Sequence, residues 1–146
     1  MNHTRHEFCS DDWVKATRHY VTTAARGADL SGLKVSFNEV FTSAPSHLGA
    51  NEDGLIGWFI RVEDGAIEVG KGILDQADLR ITADYDTVVP LARTVFEGDA
   101  KAAAAAQQTI AAATADGRFR REGDESAMAS LTFLAGLHDA LATMTA

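Results

Sequence analysis

The feature that most constrains this chain is a change of period along it. From Leu33 to Phe41 the apolar residues recur at every second position. Leu33, Val35, Phe37 and Phe41 face one way with Glu39 among them, and Lys34, Ser36 and Asn38 face the other. A period of two belongs to a strand with one buried face. Leu55–Val62 follows, apolar on both faces apart from Gly57 and Arg61, as expected of a central strand. Because both faces are apolar, the pattern leaves open which one turns inward. Asp64-Gly65 is a hairpin turn signal, and Ala66–Ile73 is the returning strand. Ala77–Ala83 is a fourth, with Leu79 and Ile81 on one face and Asp78, Arg80 and Thr82 on the other. Ala44–Gly54 is a loop by composition.

Helical periodicity brackets these strands. Ser10 can cap a first helix, with Asp11 and Asp12 in its first turn, and Gly27 can stop it. Its expected inner face is Trp13, Ala16, Tyr20 and Ala24, with Val21 at the edge. After the strands, Asp86 or Thr87 is expected to cap a segment striped by Val88, Leu91, Ala92 and Val95, with Pro90 in its first turn and Gly98 at its end. Asp99 opens an alanine-rich helix that ends near Gly117, and Ile110 is its only large apolar side chain. The stretch Gly117-Arg-Phe-Arg-Arg-Glu-Gly-Asp124 is extended in character. A last helix is expected from about Ser126, with Met128, Leu131, Leu134, Leu137, Leu141 and Met144 as its stripe. The order is one helix, four strands, two helices, one strand, one helix, with hairpin-length links among the first strands. That predicts an α+β domain whose helices gather on one face of a five-stranded sheet. The 146 residues suit one domain spanning 1–146, with residues 1–9 as a loose lead-in.

Composition removes several classes of function. A formal charge of −8 argues against a nucleic-acid partner or a docked anionic membrane, since both ask for a basic face. No apolar run approaches the roughly 18 residues of a membrane span, and no apolar segment of a signal peptide follows the N-terminus, so stable membrane insertion is not expected. One cysteine, Cys9, excludes an internal disulfide and fits a reducing compartment, so a cytoplasmic location is expected.

The motif search is mostly negative. Gly65-Ala-Ile-Glu-Val-Gly-Lys71 matches the first seven positions of a phosphate-binding loop. Gly72 stands where that loop needs Ser or Thr, and the segment alternates like a strand with no helix behind it. It is read as a hairpin strand. The five histidines, His3, His6, His19, His47 and His138, are scattered, and no metal site or cofactor is expected from them. His138 falls in the stripe of the last helix and reads as structural. Cys9, beside the capping Ser10, reads as an ordinary thiol, and the pairs Asp11-Asp12 and Asp84-Asp86 read as helix starts.

Two charges remain without an ordinary place. Glu39 lies on the apolar face of the first strand. If Phe119 faces the core, strand alternation sends Arg118 and Arg120 outward and brings Arg121 inward. A buried charge must be paired or meet a polar group. Three alternatives stand: Glu39 and Arg121 pair, Arg121 meets the polar head of a ligand, or the strand ends early at a bulge. The alanine run likewise has two readings. It is a stable, solvent-flanked helix, or its short side chains leave open volume between helix and sheet.

Three segments in this order also carry a resemblance. They are Ala77-Asp-Leu-Arg-Ile-Thr-Ala-Asp-Tyr-Asp86, a helix ending in Phe96-Glu-Gly98, and Gly117–Asp124 followed by an amphipathic helix. With the earlier hairpin Arg61-Val-Glu-Asp-Gly-Ala-Ile-Glu-Val-Gly70, they resemble the sterol carrier protein type 2 family of sterol-binding domains over roughly residues 55 to 141. The resemblance implies a mostly antiparallel five-stranded sheet covered by helices, with a hydrophobic tunnel between the layers that takes sterols, fatty acyl chains or other lipids. It implies no universal catalytic residue and no metal. The chain departs from the family pattern in the long alanine-rich segment between Gly98 and Gly117, which bears on the size of the tunnel. It departs again at Arg121, which stands where the family has an apolar residue.

The expected function is therefore non-catalytic binding or carriage of a small hydrophobic molecule. The walls are expected from Phe37, Trp58, Ile60, Leu79, Ile81, Phe119, Leu134 and Leu137, with Glu39 or Arg121 orienting any polar end. Pockets of this kind are mostly apolar with a few placed polar groups. Two other readings stand beside it. One is a small enzyme using Glu39 or His138 as a base in the same cavity. The other is a protein-interaction or regulatory domain, of which a homodimer is one form.

Overall fold

The computed structural model of the protein describes residues 4–146 and has five strands and four α-helices. Helix α1 (Asp11–Ala25) begins where Ser10 accepts a hydrogen bond from the Trp13 backbone N–H at 3.1 Å. Its buried stripe is Trp13, Val14, Thr17, Val21 and Ala25, rotated from the expected face, with Ala16, Tyr20 and Ala24 half-buried beside it. Thr17 takes an interior position because its hydroxyl donates to the Trp13 carbonyl at 2.8 Å. A hydroxyl satisfied within its own helix can face the core.

Strands β1 (Val35–Thr42), β2 (Ile56–Glu63), β3 (Ala66–Lys71), β4 (Leu79–Asp84) and β5 (Phe119–Gly123) form one sheet in the order β3-β2-β1-β4-β5. All neighbours are antiparallel except β1 and β4, which run parallel. The β2–β3 connection is a two-residue turn in which Asp64 and Gly65 have φ of 54° and 76°. Two positive φ values match the twist of a hairpin, and the segment that mimics a phosphate-binding loop is accordingly β3. The hairpin occupies one side of β1, so β4 can join only on the other. Gly123, at the end of β5, has φ of 105°, and a Cβ there would lie 2.1 Å from the Asp78 carbonyl oxygen. Only glycine fits that crossing.

Alternation fixes the inward face of the sheet. Ile56, Trp58, Ile60 and Val62 of β2 are at most 3% exposed, whereas Arg61 and Glu63 face solvent. Asn38, expected to face outward, does point to the opposite face but is fully buried. The loop after β3 covers it. Its amide donates to the Trp58 carbonyl at 2.8 Å, and its side-chain oxygen accepts from the Leu74 backbone N–H at 2.9 Å.

The helical segments differ more from expectation. Helix α2 (Tyr85–Ala92) is capped by Asp84, which accepts from the Thr87 N–H at 3.1 Å, rather than by Asp86 or Thr87. Pro90 therefore lies inside the helix and not in its first turn, and the helix stops two residues later. A proline there removes one backbone hydrogen bond and clashes with the preceding turn. Val95 is left among the exposed large apolar residues. Helix α3 (Ala100–Ala115) is the alanine helix, capped by Asp99. The expected long last helix is broken. It consists of two 3₁₀ turns, Ala127–Ser130 and Thr132–Leu134, followed by α4 (Leu137–Thr143). Leu131 leaves helical dihedrals (ψ 65°) between the turns, and Gly136 precedes α4. Breaking the run lets Leu131, at 2% exposure, turn into the core.

The N-terminal lead-in is not loose within the described residues. The His6 backbone N–H donates to Met144 and its carbonyl accepts from Ala146, at 2.7 and 2.8 Å. Phe8 is buried edge-on against both Trp13 and Phe41, with ring centroids 4.9 Å apart in each case. His3 lies outside the described residues. Among the described residues no group of three or more His, Cys, Asp or Glu side chains could hold a metal ion, and no helix is long and apolar enough to cross a membrane.

Candidate functional site

The strand registers place five side chains in one line across the inward face of the sheet. Lys71 pairs with Trp58, Trp58 with Glu39, Glu39 with Ile81, and Ile81 with Arg121. The next row, Val69, Ile60, Phe37, Leu79 and Gly123, has no polar side chain. The row on the other side, Ile56, Phe41, Ala83 and Phe119, has none either. The polar groups of this face thus occupy a single row, from Lys71 on β3 to Arg121 on the edge strand β5.

A cavity of about 310 Å³ lies over this row, at the small end of the range for ligand pockets. Its floor includes Phe37, Glu39, Trp58, Ile81, Phe119 and Arg121. Its roof is helical: Trp13 from α1, Val88 and Leu91 from α2, Ala106 and Ile110 from α3, and Leu137 and Leu141 from α4, with Phe8, Phe96 and Met128 from the connecting segments. The alanine helix matters here. Ala106 is 6% exposed and borders the cavity, so a methyl group stands where a longer side chain would fill the space. The open-volume reading of the alanine run holds at this position, while Ala104, Ala105, Ala111 and Ala112 face solvent.

Seven of the ten expected site residues border the cavity: Phe37, Glu39, Trp58, Ile81, Phe119, Arg121 and Leu137. Ile60, Leu79 and Leu134 do not. Ile60 and Leu79 lie in the neighbouring apolar row at 0% and 5% exposure, and Leu134 is held in the second 3₁₀ turn at 6%, so all three are core. Of the helical roof, only the stripe of the last helix, here Leu137, was expected; the contributions of α1, α2 and α3 were missed because an apolar stripe reads as core whether or not space lies beneath it. Phe8 was missed because it lies in a segment read as a loose lead-in.

Glu39 is the chemically distinct group. It is half-buried and borders the cavity. Burial raises its pKa from 4.5 to about 7, opposed by the nearby Trp58 indole N–H. That N–H lies close enough to favour the charged carboxylate, yet Trp58 Nε1 makes no hydrogen bond of ordinary geometry. The carboxyl also pushes its neighbour Cys9 upward, adding to burial to bring that thiol to about 12. Cys9 is thus an unreactive core thiol.

Glu39 and Arg121 do not pair. Ile81 stands between them in the row, and two strand spacings separate their backbones by about 10 Å. The inward register read for Arg121 is correct, but its burial is not. The strand order makes β5 an edge, so Arg121 is exposed where the cavity opens. Its guanidinium lies over the Phe119 ring at 4.8 Å from the centroid and has no carboxylate partner among the described residues. Arg118 pairs with Asp116 at 2.8 Å and Arg120 with Glu122 at 3.4 Å, both in solvent. His138 is stacked on Phe96 at 4.4 Å and 4°, and its Nε2 lies 2.9 Å from the Thr94 carbonyl oxygen. It braces the cavity wall through that stack.

No protein-family model and no curated protein matches the chain. Solved structures do match. One is a conserved hypothetical protein of Thermus thermophilus, described as possibly a sterol carrier protein. It is 18% identical with a TM-score of 0.52, over 95% of this chain and 90% of that one. Another is the sterol carrier protein domain 2 of Helicoverpa armigera, 14% identical with a TM-score of 0.53, over 92% and 91%. Identities this low speak for architecture alone. The chain has the sterol carrier protein fold, matched along almost its whole length.

Proposed function

We propose that this protein binds and carries a small hydrophobic molecule, a lipid or fatty acyl compound, in the cavity between sheet and helices. The observation that carries the reading is the cavity itself: an aromatic and aliphatic space between sheet and helices, whose ionisable groups are Glu39 and Arg121 in one row of the floor and His138 in the wall. Filling such a space removes apolar ligand surface from water at about 25 cal/mol per Å², while a few fixed polar groups set orientation. The shared fold with sterol carrier proteins supports the same reading. The test is denaturing mass spectrometry of an organic extract of the purified protein, with exchange against added lipid. A stoichiometric hydrophobic molecule supports carriage, and a protein that neither retains nor takes up any hydrophobic probe contradicts it.

One observation favours a second reading, a small enzyme working on a hydrophobic substrate. Glu39 combines burial, access to the cavity and a pKa near 7, the properties of a general base. No nucleophile stands within reach of it among the described cavity residues, and Cys9 is held protonated. Chemical change of a bound probe that is lost in Glu39→Gln would favour this reading over carriage.

A further inference from the structure

The polar row specifies more than a greasy space. It places one carboxyl inside an apolar cavity and one guanidinium where that cavity meets solvent, with Ile81 between them. We propose that the preferred ligands are amphipathic carboxylic acids bearing a hydroxyl in their apolar part, with the carboxylate on Arg121 at the mouth and the hydroxyl on Glu39 inside. This rests on the carrier reading above and adds the ligand class.

Three observations converge on it. Arg121 lies over the Phe119 ring and lacks an anionic partner among the described residues, whereas Arg118 and Arg120 on the same segment each have one. A planar guanidinium presents a fork matched to a carboxylate. At the inner end, the Trp58 indole N–H lies near the Glu39 carboxyl but makes no hydrogen bond of ordinary geometry, so this pair has hydrogen-bonding capacity left for a ligand. A plain hydrocarbon chain laid over that pair would strip it of water and return nothing, which is costly for a buried polar group. A hydroxyl donates and accepts. It therefore serves Glu39 in either protonation state, and both states are populated at neutral pH.

The same two charges fix the direction of entry. A carboxylate led inward would meet Glu39, a like charge in a low-dielectric space, so the acid end stays at the mouth. A cationic head would have to pass Arg121 to reach Glu39. The backbones that carry the two polar groups are separated by about 10 Å across the sheet, and with a cavity of about 310 Å³ this suits a medium-length chain.

The experiment compares dodecanoic acid, ω-hydroxydodecanoic acid, dodecanol and dodecylamine by titration calorimetry on the full chain. The wild-type protein is expected to bind the hydroxy acid at least about tenfold tighter than dodecanoic acid, the range expected when a buried polar group gains its partner. Glu39→Leu is expected to abolish that preference while still binding dodecanoic acid. Glu39→Gln, which keeps a hydrogen-bonding group in place, is expected to retain part of it. Arg121→Leu is expected to weaken both acids equally and to leave dodecanol unchanged. Equal affinity of the wild type for the two acids overturns the proposal but leaves the carrier reading intact. A preference surviving Glu39→Leu overturns it as well, and tighter binding of dodecylamine than of the hydroxy acid makes Glu39 a cation site instead. Failure of all four probes to bind overturns the proposal and the carrier reading together.

Discussion

At the scale of single residues, Glu39 makes stability depend on pH. Its pKa rises from 4.5 to about 7 on folding, so the native state binds a proton that the unfolded chain has released. Between those values stability falls as pH rises, in total by about 3 kcal/mol. Its contribution is best below pH 4.5 and fully lost above pH 7. Glu39→Gln imitates the protonated form. Urea unfolding from pH 4 to 8 should show the two proteins nearly equal at the acid end and the variant more stable by about 3 kcal/mol at the basic end. A difference independent of pH would show that the carboxyl is not enclosed. Arg121 is the contrasting case. It is exposed, so Arg121→Leu should change stability by no more than about 0.5 kcal/mol, and a much larger loss would mean that it supports the fold. The inward direction of both side chains was legible, because alternation alone gives it. Their separation was not. Whether Glu39 and Arg121 touch depends on β4 lying between their strands, and strand order is a long-range fact that no local pattern carries.

At the scale of elements, α1 and α3 were readable from their caps and periods, and the structure has both where Ser10 and Asp99 place them. Ser10→Ala should cost about 1 kcal/mol in thermal or urea unfolding, with the cavity unaffected. The last helix was not readable. Leu131, Leu134, Leu137 and Leu141 recur at helical spacing, yet the chain places Leu131 between two 3₁₀ turns and Leu134 in the second, so that both are buried. Tertiary burial outweighs local periodicity there. The alanine helix carries the sharper test. Ala106→Phe puts a ring into the cavity from its roof. It should hold or raise stability, by up to about 1 kcal/mol as cavity-filling changes do, while uptake of dodecanoic acid falls at least about tenfold. Unchanged uptake would place the ligand elsewhere.

At the scale of the whole molecule, the cavity exists because the roof is assembled from four separate helices and the segments connecting them, which meet over one row of the sheet. Each presents a stripe that a sequence reader assigns to core, and only the space left between them distinguishes a container from a packed interior. The α+β class, the five strands and the hairpin could be read in the order of periods, and the resemblance to sterol carrier domains anticipated the fold that the solved structures share. The roof could not, since helix positions depend on docking rather than on period. The terminal segments contribute to closure: the His6 strand bridge to Thr145 and the Trp13 Nε1 bond to Thr145 Oγ1 at 3.0 Å tie the segment around His6 to the one around Thr145, next to Phe8 and Trp13 of the cavity wall.

The chain has two tryptophans, Trp13 and Trp58, and both line this cavity, one in its roof and one in its floor. Titrating the unlabelled protein with a chain-brominated dodecanoic acid, whose bromine quenches indole fluorescence on contact, therefore reads occupancy directly. Carriage in this cavity predicts saturable quenching at one molecule per chain, reversed by unbrominated dodecanoic acid and largely lost in Ala106→Phe. Absent or unsaturable quenching, or quenching indifferent to Ala106→Phe, would contradict it.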